Sequence, residues 1–186
     1  SKKNIVLIFD ECTTGFREVF GGLHKKYKVN PDIAIFGKAL GNGFAITAVI
    51  GKKNIMEKAK DTFISSTFWT EKTGSVAALK TLEIMEKEKS WIKLNKIGKK
   101  IKAGWKKLSK KHKLNLNIYG SNVLPTFSFE TKRNSEYLKF ITEEMLKRGF
   151  LFKNTLYVSL AHSNNLIKKY FEALDNSFKM LKNKFN

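Results

Sequence analysis

One aspartate and one lysine occupy the positions in this sequence that are most suited to chemistry. Asp10 follows the apolar run Ile5–Phe9, and Lys38 comes shortly after the apolar run Ile33–Phe36. Both runs are short and β-branched, which is typical of buried strands. A charge at the end of such a strand is costly unless a partner meets it. In apolar surroundings a lysine amine can be freed to attack a carbonyl or to hold a Schiff base.

The spacing predicts that both side chains reach one crevice. The interval from position 10 to position 38 is 28 residues, which suits a crossover between neighbouring parallel strands. Open α/β sheets bind ligands at the carboxyl ends of their strands. Gly41-Asn42-Gly43 then indicates a tight turn, so Phe44–Ile50 is predicted to return as an antiparallel third strand. An acid that can pair with a pyridinium nitrogen, facing a lysine that can form an imine, is the protein half of pyridoxal phosphate chemistry.

Charge points to a second class of function. The net charge is +20, and a sequence this basic suggests an anionic partner such as nucleic acid. However, only three of the 36 basic residues are arginines, on which nucleic-acid recognition relies. The lysines recur at helical spacing over 87–113 and 168–184, which is typical of solvated helix faces. A basic nucleic-acid or anion-binding domain on a degenerate enzyme fold stays as the alternative hypothesis.

Bulk composition indicates a globular chain. Hydrophobic residues make up 42% and aromatic residues 12% of the 186 residues. No apolar run approaches the ~20 residues that a membrane span requires, so we expect a soluble protein. Cys12 is the only cysteine, which excludes an internal disulfide framework and offers no metal-site spacing. A reducing cytoplasm is therefore the expected location, and no metal is expected.

Three segments together resemble a known family. FDECTTGFR, NPDIAIFGKALGNGFAITAVIG and SSTFWTEKTGSVAALKTLE are similar to the class III pyridoxal-phosphate aminotransferases, particularly the glutamate-1-semialdehyde 2,1-aminomutase-like branch. The agreement covers roughly Ile5–Glu83, and RGFLFKNTLYVSLAHSNN resembles the C-terminal domain of that branch. Family members are considerably longer, and Ser1–Asn4 leads straight into a predicted strand. We therefore expect a C-terminal fragment of a larger enzyme, inactive by itself.

The resemblance implies an α/β architecture in two parts. Residues 1–88 would be the C-terminal part of the large pyridoxal-phosphate-binding domain of a fold-type I enzyme, with a mixed, mostly parallel sheet. Residues 89–186 would form a small α+β C-terminal domain, and the composition changes near residue 88 from glycine-punctuated strands to lysine-rich helices.

The resemblance also implies roles for individual residues. Lys38 would form the Schiff base with the cofactor and shuttle a proton during amino-group transfer, while Asp10 would keep the pyridine nitrogen protonated. Cys12 stands where the family usually has valine or a similar residue against the ring. The threonine that matches Thr67 contacts the cofactor phosphate of the other subunit, which implies a homodimer with shared sites. Small amino compounds are the expected substrates, and the choice between aminotransferase and aminomutase stays open.

Several local predictions complete the sequence interpretation. Glu11 is expected to orient the strand end or Asp10, and His24 is expected at the surface. His162 is expected to cap the last helix together with Ser163 rather than act in catalysis, and Ser90 is a candidate N-cap. Predicted helices are Asn54–Lys60, one from Thr73, Ser90–His112, Ser135–Arg148 ended by Gly149, and Asn164–Lys184; predicted strands lie within Asn117–Glu130 and at Leu156–Leu160.

Overall fold

The computed structural model describes residues 5–67 and 69–185. The chain divides into two compact units, which we call the N-terminal unit, Ser1–Ile92, and the C-terminal unit, Lys93–Asn186. The change in composition had indicated a boundary near residue 88. Within the described residues, no helix combines the length and the apolar character needed to cross a membrane.

A three-stranded mixed sheet forms the centre of the N-terminal unit. Its strands are β1 (Ile8–Asp10), β2 (Ile33–Phe36) and β3 (Ala48–Gly51), in the order β1-β2-β3. β1 pairs with β2 in parallel, with Asp10 opposite Ile35. β2 pairs with β3 in antiparallel fashion. These pairings confirm the predicted parallel crossover and the predicted return through the glycine turn.

The first strand is shorter and more exposed than its apolar sequence predicts. β1 begins at Ile8 rather than Ile5, and the side chains of Ile5 and Ile8 are 64% and 53% exposed. The prediction of a buried strand over Ile5–Phe9 is therefore wrong for this chain. The physical reason is that β1 stands at the end of the sheet order, so among the described residues it has a strand neighbour on one side alone.

Helices of the N-terminal unit follow the third strand. The short helix α1 (Lys53–Met56) continues into a 3-10 turn at Glu57–Asp61, and together they cover the predicted helix at Asn54–Lys60. The longer helix α2 (Thr73–Glu88) begins at the predicted residue. The buried apolar cluster among the described residues of this unit is small and consists of Ala34, Phe36, Leu40 and Ala78.

The C-terminal unit contains three helices and a β-hairpin. Its helices are α3 (Ser90–His112, which starts in the preceding unit), α4 (Asn134–Lys147) and α5 (Asn164–Phe185). The predicted bounds agree with α3 at both ends and with α4 and α5 to within one residue. The antiparallel hairpin pairs β4 (Leu116–Tyr119) with β5 (Thr126–Phe129).

An aromatic core holds this second unit together. Trp105, Phe127 and Phe178 are all 0% exposed. Phe127 packs edge-on against both other rings, at centroid separations of 4.9 and 6.3 Å. The indole N–H of Trp105 donates a hydrogen bond to the Tyr170 hydroxyl at 2.9 Å, so this buried polar group is satisfied.

The strand predicted at Leu156–Leu160 is wrong. The backbone there makes too few paired hydrogen bonds to form a strand. Leu156 N–H donates to the Pro125 carbonyl at 3.0 Å, and Val158 N–H donates to the Val123 carbonyl at 3.1 Å. The acceptors lie before β5 and not on it, so no regular ladder with a named strand develops.

Two of the predicted helix caps are wrong. Ser90 is the first residue of α3, and its buried hydroxyl has no hydrogen-bond partner among the described residues. Ser163 does cap α5, since its hydroxyl accepts from the Leu166 N–H at 3.2 Å. The His162 ring instead accepts from the Ser159 N–H at 3.1 Å, and burial lowers the pKa of His162.

Candidate active site

The carboxyl ends of β1 and β2 bring Asp10 and Lys38 to the same edge of the sheet. Asp10 is the last residue of β1 and lies opposite Ile35, whereas Lys38 comes two residues after the end of β2 at Phe36. Parallel strands end on the same side, so this arrangement follows from the pairing alone. The edge is the place where open α/β sheets hold their ligands.

Lys38 has an unusual backbone and a fixed amine. Its φ is +44°, in the left-handed region that non-glycine residues seldom occupy, and it opens a 3-10 turn that ends at Leu40. Such a conformation persists only where the surroundings hold it, and it often accompanies function. The exposed side chain turns toward the segment that follows β1, where Nζ donates a hydrogen bond to the Thr13 hydroxyl.

The glycine before Lys38 allows the close approach of the two strand ends. A Cβ placed on Gly37 would lie 3.2 Å from Cys12 Sγ, tighter than ordinary van der Waals contact. Cys12 is half-buried, and its N–H donates to Asp10 Oδ1 at 2.9 Å. This short turn from Asp10 back to its own segment orients the carboxylate. Asp10, Cys12 and Lys38 are thereby held around one small region of the edge.

A cavity of about 1110 Å³ opens beside Lys38, and we call it the Lys38 cavity. Cavities of ~300–1,000 Å³ are usual for small molecules, so this one has room for a cofactor-sized ligand. Trp69 is 67% exposed and lines this cavity. Its described lining also includes Phe44, Ile46, Lys58, Ser66 and Glu71.

Thr67 lies in the exposed loop that precedes α2, and the next residue of the predicted phosphate-binding loop, Phe68, is outside the described residues. Thr67 is not among the described lining of the Lys38 cavity, whereas its neighbour Ser66 is. The N-terminus of α2 already holds a carboxylate, because Glu71 accepts from the Thr73 and Gly74 N–H groups at 2.9 and 3.2 Å. A phosphate contact by Thr67 thus stays a prediction.

Sequence reasoning assigned Glu11 an orienting role but missed its burial and its hydrogen-bond partners. Glu11 is 1% exposed and accepts from the Thr14 hydroxyl and from the His24 N–H, the latter at 2.9 Å. The His24 ring meets the same carboxylate at 3.0 Å through Nδ1, so the prediction of a surface His24 is wrong. The lysine-rich sequence around His24 concealed this role, and an acid 13 residues upstream offers no local signal.

Hydrogen bonding, not charge pairing alone, keeps Glu11 ionised. Burial raises the pKa of Glu11, but hydrogen bonds from Thr14 and from the Leu23 and His24 N–H groups outweigh it, so the pKa lies below its ordinary value. The Glu11 carboxylate is thus held in place beside the segment that carries Asp10. Glu11 therefore orients the end of β1 through these hydrogen-bond partners rather than through contact with Asp10.

The chain is similar to known proteins in sequence and in structure. The pattern described as Aminotransferase class-III matches residues 1–178. The chain is 38% identical to a 3-aminobutyryl-CoA aminotransferase from Cloacimonas acidaminovorans, covering 74% of this chain and 34% of that protein. It is 31% identical to a glutamate-1-semialdehyde 2,1-aminomutase from Chloroherpeton thalassium, covering 96% of this chain and 45% of that protein. The chain thus spans less than half the length of these relatives.

Solved structures share the fold. The FumI protein from Sphingopyxis sp. MTA144 superposes with a TM-score of 0.92 at 24% identity, over 99% of this chain and 45% of that chain. An omega-transaminase from Sphaerobacter thermophilus superposes with a TM-score of 0.83 at 20% identity, over 95% and 44% of the two chains. These similarities confirm the α/β fold that the sequence predicted. They do not favour the alternative of a basic binding domain on a degenerate fold.

Proposed function

Because the chain belongs to the class-III aminotransferase family, we propose that the full-length protein transfers amino groups with pyridoxal phosphate as its cofactor. The observation that carries this proposal is the common edge at which β1 and β2 deliver Asp10 and Lys38. The residues there fit the cofactor in kind, since an acid suits its ring nitrogen and an amine suits its aldehyde. The adjoining cavity, which Lys38 lines, is large enough for a ligand of this size.

Each residue of the edge has a defined task in this proposal. Pyridoxal phosphate, when bound, supplies an aldehyde that bonds to amines and a ring that draws electrons from the substrate carbon. Lys38 Nζ binds that aldehyde and, once an amino substrate has replaced it, carries the proton at the substrate carbon. The Asp10 carboxylate holds the proton of the ring nitrogen, and Cys12 packs against the ring as a small apolar side chain.

Trapping the cofactor on its lysine tests this proposal. Pyridoxal phosphate added to the full-length protein should give a yellow absorption, and borohydride should then fix a mass increase on the peptide that contains Lys38. Lys38→Arg should abolish both signals, because a guanidinium does not form the bond. Lys58→Arg is the matched control, since Lys58 lines the same cavity and should leave both signals intact. Fixation on another lysine would refute the assignment.

A homodimer with shared sites follows if Thr67 serves the neighbouring subunit. The exposed position of Thr67 in the loop before α2 leaves its side chain accessible to a neighbouring subunit. We expect Thr67→Ala to weaken cofactor retention in dialysis, while Thr70→Ala, a nearby exposed threonine, should not. Unchanged retention in Thr67→Ala would count against a phosphate contact.

Mixed dimers distinguish a shared site from a private one. When Lys38→Arg and Thr67→Ala chains are combined, a shared arrangement produces one site with both defects and one site with neither. Activity should then exceed that of either parent dimer. If Thr67 serves its own subunit, every site carries one defect, and mixing should yield no gain.

The substrate class stays at the level of small amino compounds. The relatives include both an aminotransferase and an aminomutase, so both outcomes are open. An amine-donor screen separates the two activities. An aminotransferase needs a carbonyl compound as its second substrate to turn over repeatedly, whereas an aminomutase returns the amino group to the same carbon skeleton. A cytoplasmic location stays a prediction from the single cysteine.

A further inference from the structure

We propose that Thr13 is a positioning residue for the Lys38 amine, an inference that rests on the function proposed above. The Thr13 hydroxyl accepts a hydrogen bond from Lys38 Nζ across the edge between β1 and β2. Lys38 is exposed, and a free lysine side chain samples many rotamers. A single partner on the opposite strand end selects the rotamers that keep the amine beside Asp10's segment.

Thr13 can act in this way because its own segment is rigid. The Glu11 N–H donates to the Ile35 carbonyl at 2.8 Å, which ties the segment to β2 just before Lys38. The Glu11 carbonyl in turn accepts from the Gly15 N–H at 2.7 Å, which closes the turn on the other side of Thr13. Together with the Cys12 N–H bond to Asp10, these contacts leave the backbone at position 13 little freedom.

The Glu11 side chain anchors the turn from below. It receives the Thr14 hydroxyl and both the N–H and the ring of His24. Gly22 makes room for this arrangement, since a Cβ there would lie 2.3 Å from the His24 ring and 2.9 Å from Glu11 Oε1. Hydrogen bonds to a buried, ionised carboxylate are strong, so this set of donors holds the turn in place.

The two adjacent threonines therefore have opposite tasks. The Thr14 hydroxyl faces the buried carboxylate and belongs to the scaffold, whereas the Thr13 hydroxyl faces Lys38 and belongs to the site. By accepting a hydrogen bond from Nζ, the Thr13 hydroxyl orients the lysine nitrogen. Correct orientation of a nucleophile accelerates its attack.

The step that this orientation serves is the attachment of Lys38 to the cofactor. A carbon–nitrogen double bond forms between Nζ and the aldehyde carbon, and the aldehyde oxygen departs as water with the two hydrogens of the neutral amine. No oxidant or reductant is involved. The attachment rate therefore reports the position of the amine without requiring turnover of any substrate.

Rapid-mixing absorbance after addition of pyridoxal phosphate to the cofactor-free, full-length protein measures that rate. We expect Thr13→Val to slow attachment about tenfold, in proportion to one lost hydrogen bond. Thr13→Ser keeps the hydroxyl and should stay within about twofold of the unsubstituted protein. Thr13→Ala, which removes the hydroxyl without adding bulk, should match Thr13→Val. Thr142→Val, which removes a hydroxyl bonded to the Leu138 carbonyl in α4, is the matched control and should change nothing.

The outcomes separate this inference from the function on which it rests. If the unsubstituted protein attaches pyridoxal phosphate at Lys38 and Thr13→Val does so equally fast, the role of Thr13 is refuted while the proposed function stands. Equal slowing by Thr13→Ser and Thr13→Val would also refute it, because packing rather than the hydroxyl would then be responsible. Absence of attachment at Lys38 in the unsubstituted protein would overturn both.

Discussion

The two units of this chain differ in where they keep their buried side chains. The N-terminal unit carries every residue of the candidate site, yet among its described residues the buried apolar cluster has four members. The C-terminal unit carries none of them and contains a continuous core centred on Trp105, Phe127 and Phe178. The comparison suggests that chemistry and folding energy are assigned to different parts of the chain.

A second contrast lies in the buried carboxylates. Glu11 in the N-terminal unit is 1% exposed and is held by hydroxyl, backbone and imidazole groups, whereas Glu144 in the C-terminal unit is 3% exposed and is held by cations. Lys147 and Arg148 both donate to Glu144 at 2.7 Å. The first carboxylate supports a turn next to the site, and the second joins successive turns of one helix.

The largest expected effect is a loss of turnover at Asp10 while the protein stays folded. Asp10→Asn should reduce turnover by about 10²–10⁴-fold, because the acid that governs proton placement on the ring is gone. Attachment of the cofactor to Lys38 should suffer much less. Steady-state rates measure the first effect, and borohydride trapping measures the second.

Asp32→Asn is the control for that variant, since Asp32 accepts from the Leu7 N–H and from Lys52, both at 2.8 Å, and has no proposed part in the chemistry. It should lower the unfolding midpoint more than the turnover rate. If Asp10→Asn retained full turnover, the role proposed for Asp10 in the chemistry of the N-terminal unit would be refuted.

The next largest effect should appear in the C-terminal unit and concern stability. Phe178→Ala removes a side chain that is 0% exposed and should cost about 3–5 kcal/mol of the free energy of unfolding. Phe63→Ala in the N-terminal unit is its matched control, because Phe63 is 95% exposed, and we expect a change within about 0.5 kcal/mol. Urea unfolding followed by circular dichroism measures both, and equal costs would remove the distinction between the two units.

A smaller effect should follow from Glu11 and should depend on pH. The pKa of Glu11 is lowered in the folded protein, so its stabilisation is complete above the ordinary carboxyl pKa and is lost as the pH falls through the folded value. Glu11→Gln should cost about 1–3 kcal/mol at neutral pH, since a buried set of donors loses its anion. The difference from the unsubstituted protein should shrink on acidification below about pH 4. Urea unfolding at a series of pH values measures this, and a constant difference would contradict the assignment.

The smallest effect should come from Glu144. Hydrogen bonds from Lys147 and then Arg148 lower the pKa of Glu144, but the Lys147 side chain is 70% exposed and its cation can return to water. We expect Glu144→Gln to cost about 1 kcal/mol or less and to cost still less at high salt, because the exposed Lys147 cation of the pair is screened by salt. Glu11→Gln should not respond to salt in this way. A salt response shared by both variants would erase the contrast between the two carboxylates.

Local patterns in the sequence anticipated much of the architecture. Helix α3 begins and ends as its periodicity predicts, since one apolar face repeated over 23 residues leaves little ambiguity. The parallel pairing of β1 with β2 followed from two apolar runs separated by a crossover of sufficient length. The antiparallel return of β3 followed from the glycine turn.

The errors share a physical cause. His24, Ser90 and Leu156–Leu160 were each assigned from local residue types, and each is decided by a distant partner or by the lack of one. Burial of β1 was inferred from composition, yet burial depends on which neighbours the strand has. Sequence periodicity reports which face of an element is apolar, and it does not report what that face meets.

The amino-acid sequence by itself determined the family, the order of the elements and the two strand ends that carry Asp10 and Lys38, because these depend on residue type and spacing along the chain. Only the tertiary structure decided that Thr13 receives the lysine amine while Thr14 serves a buried carboxylate, and that His24 turns inward to Glu11. Hydrogen bonds form within a few tenths of an ångström and over narrow angles, so neighbouring residues of the same type acquire different tasks only once the chain has folded.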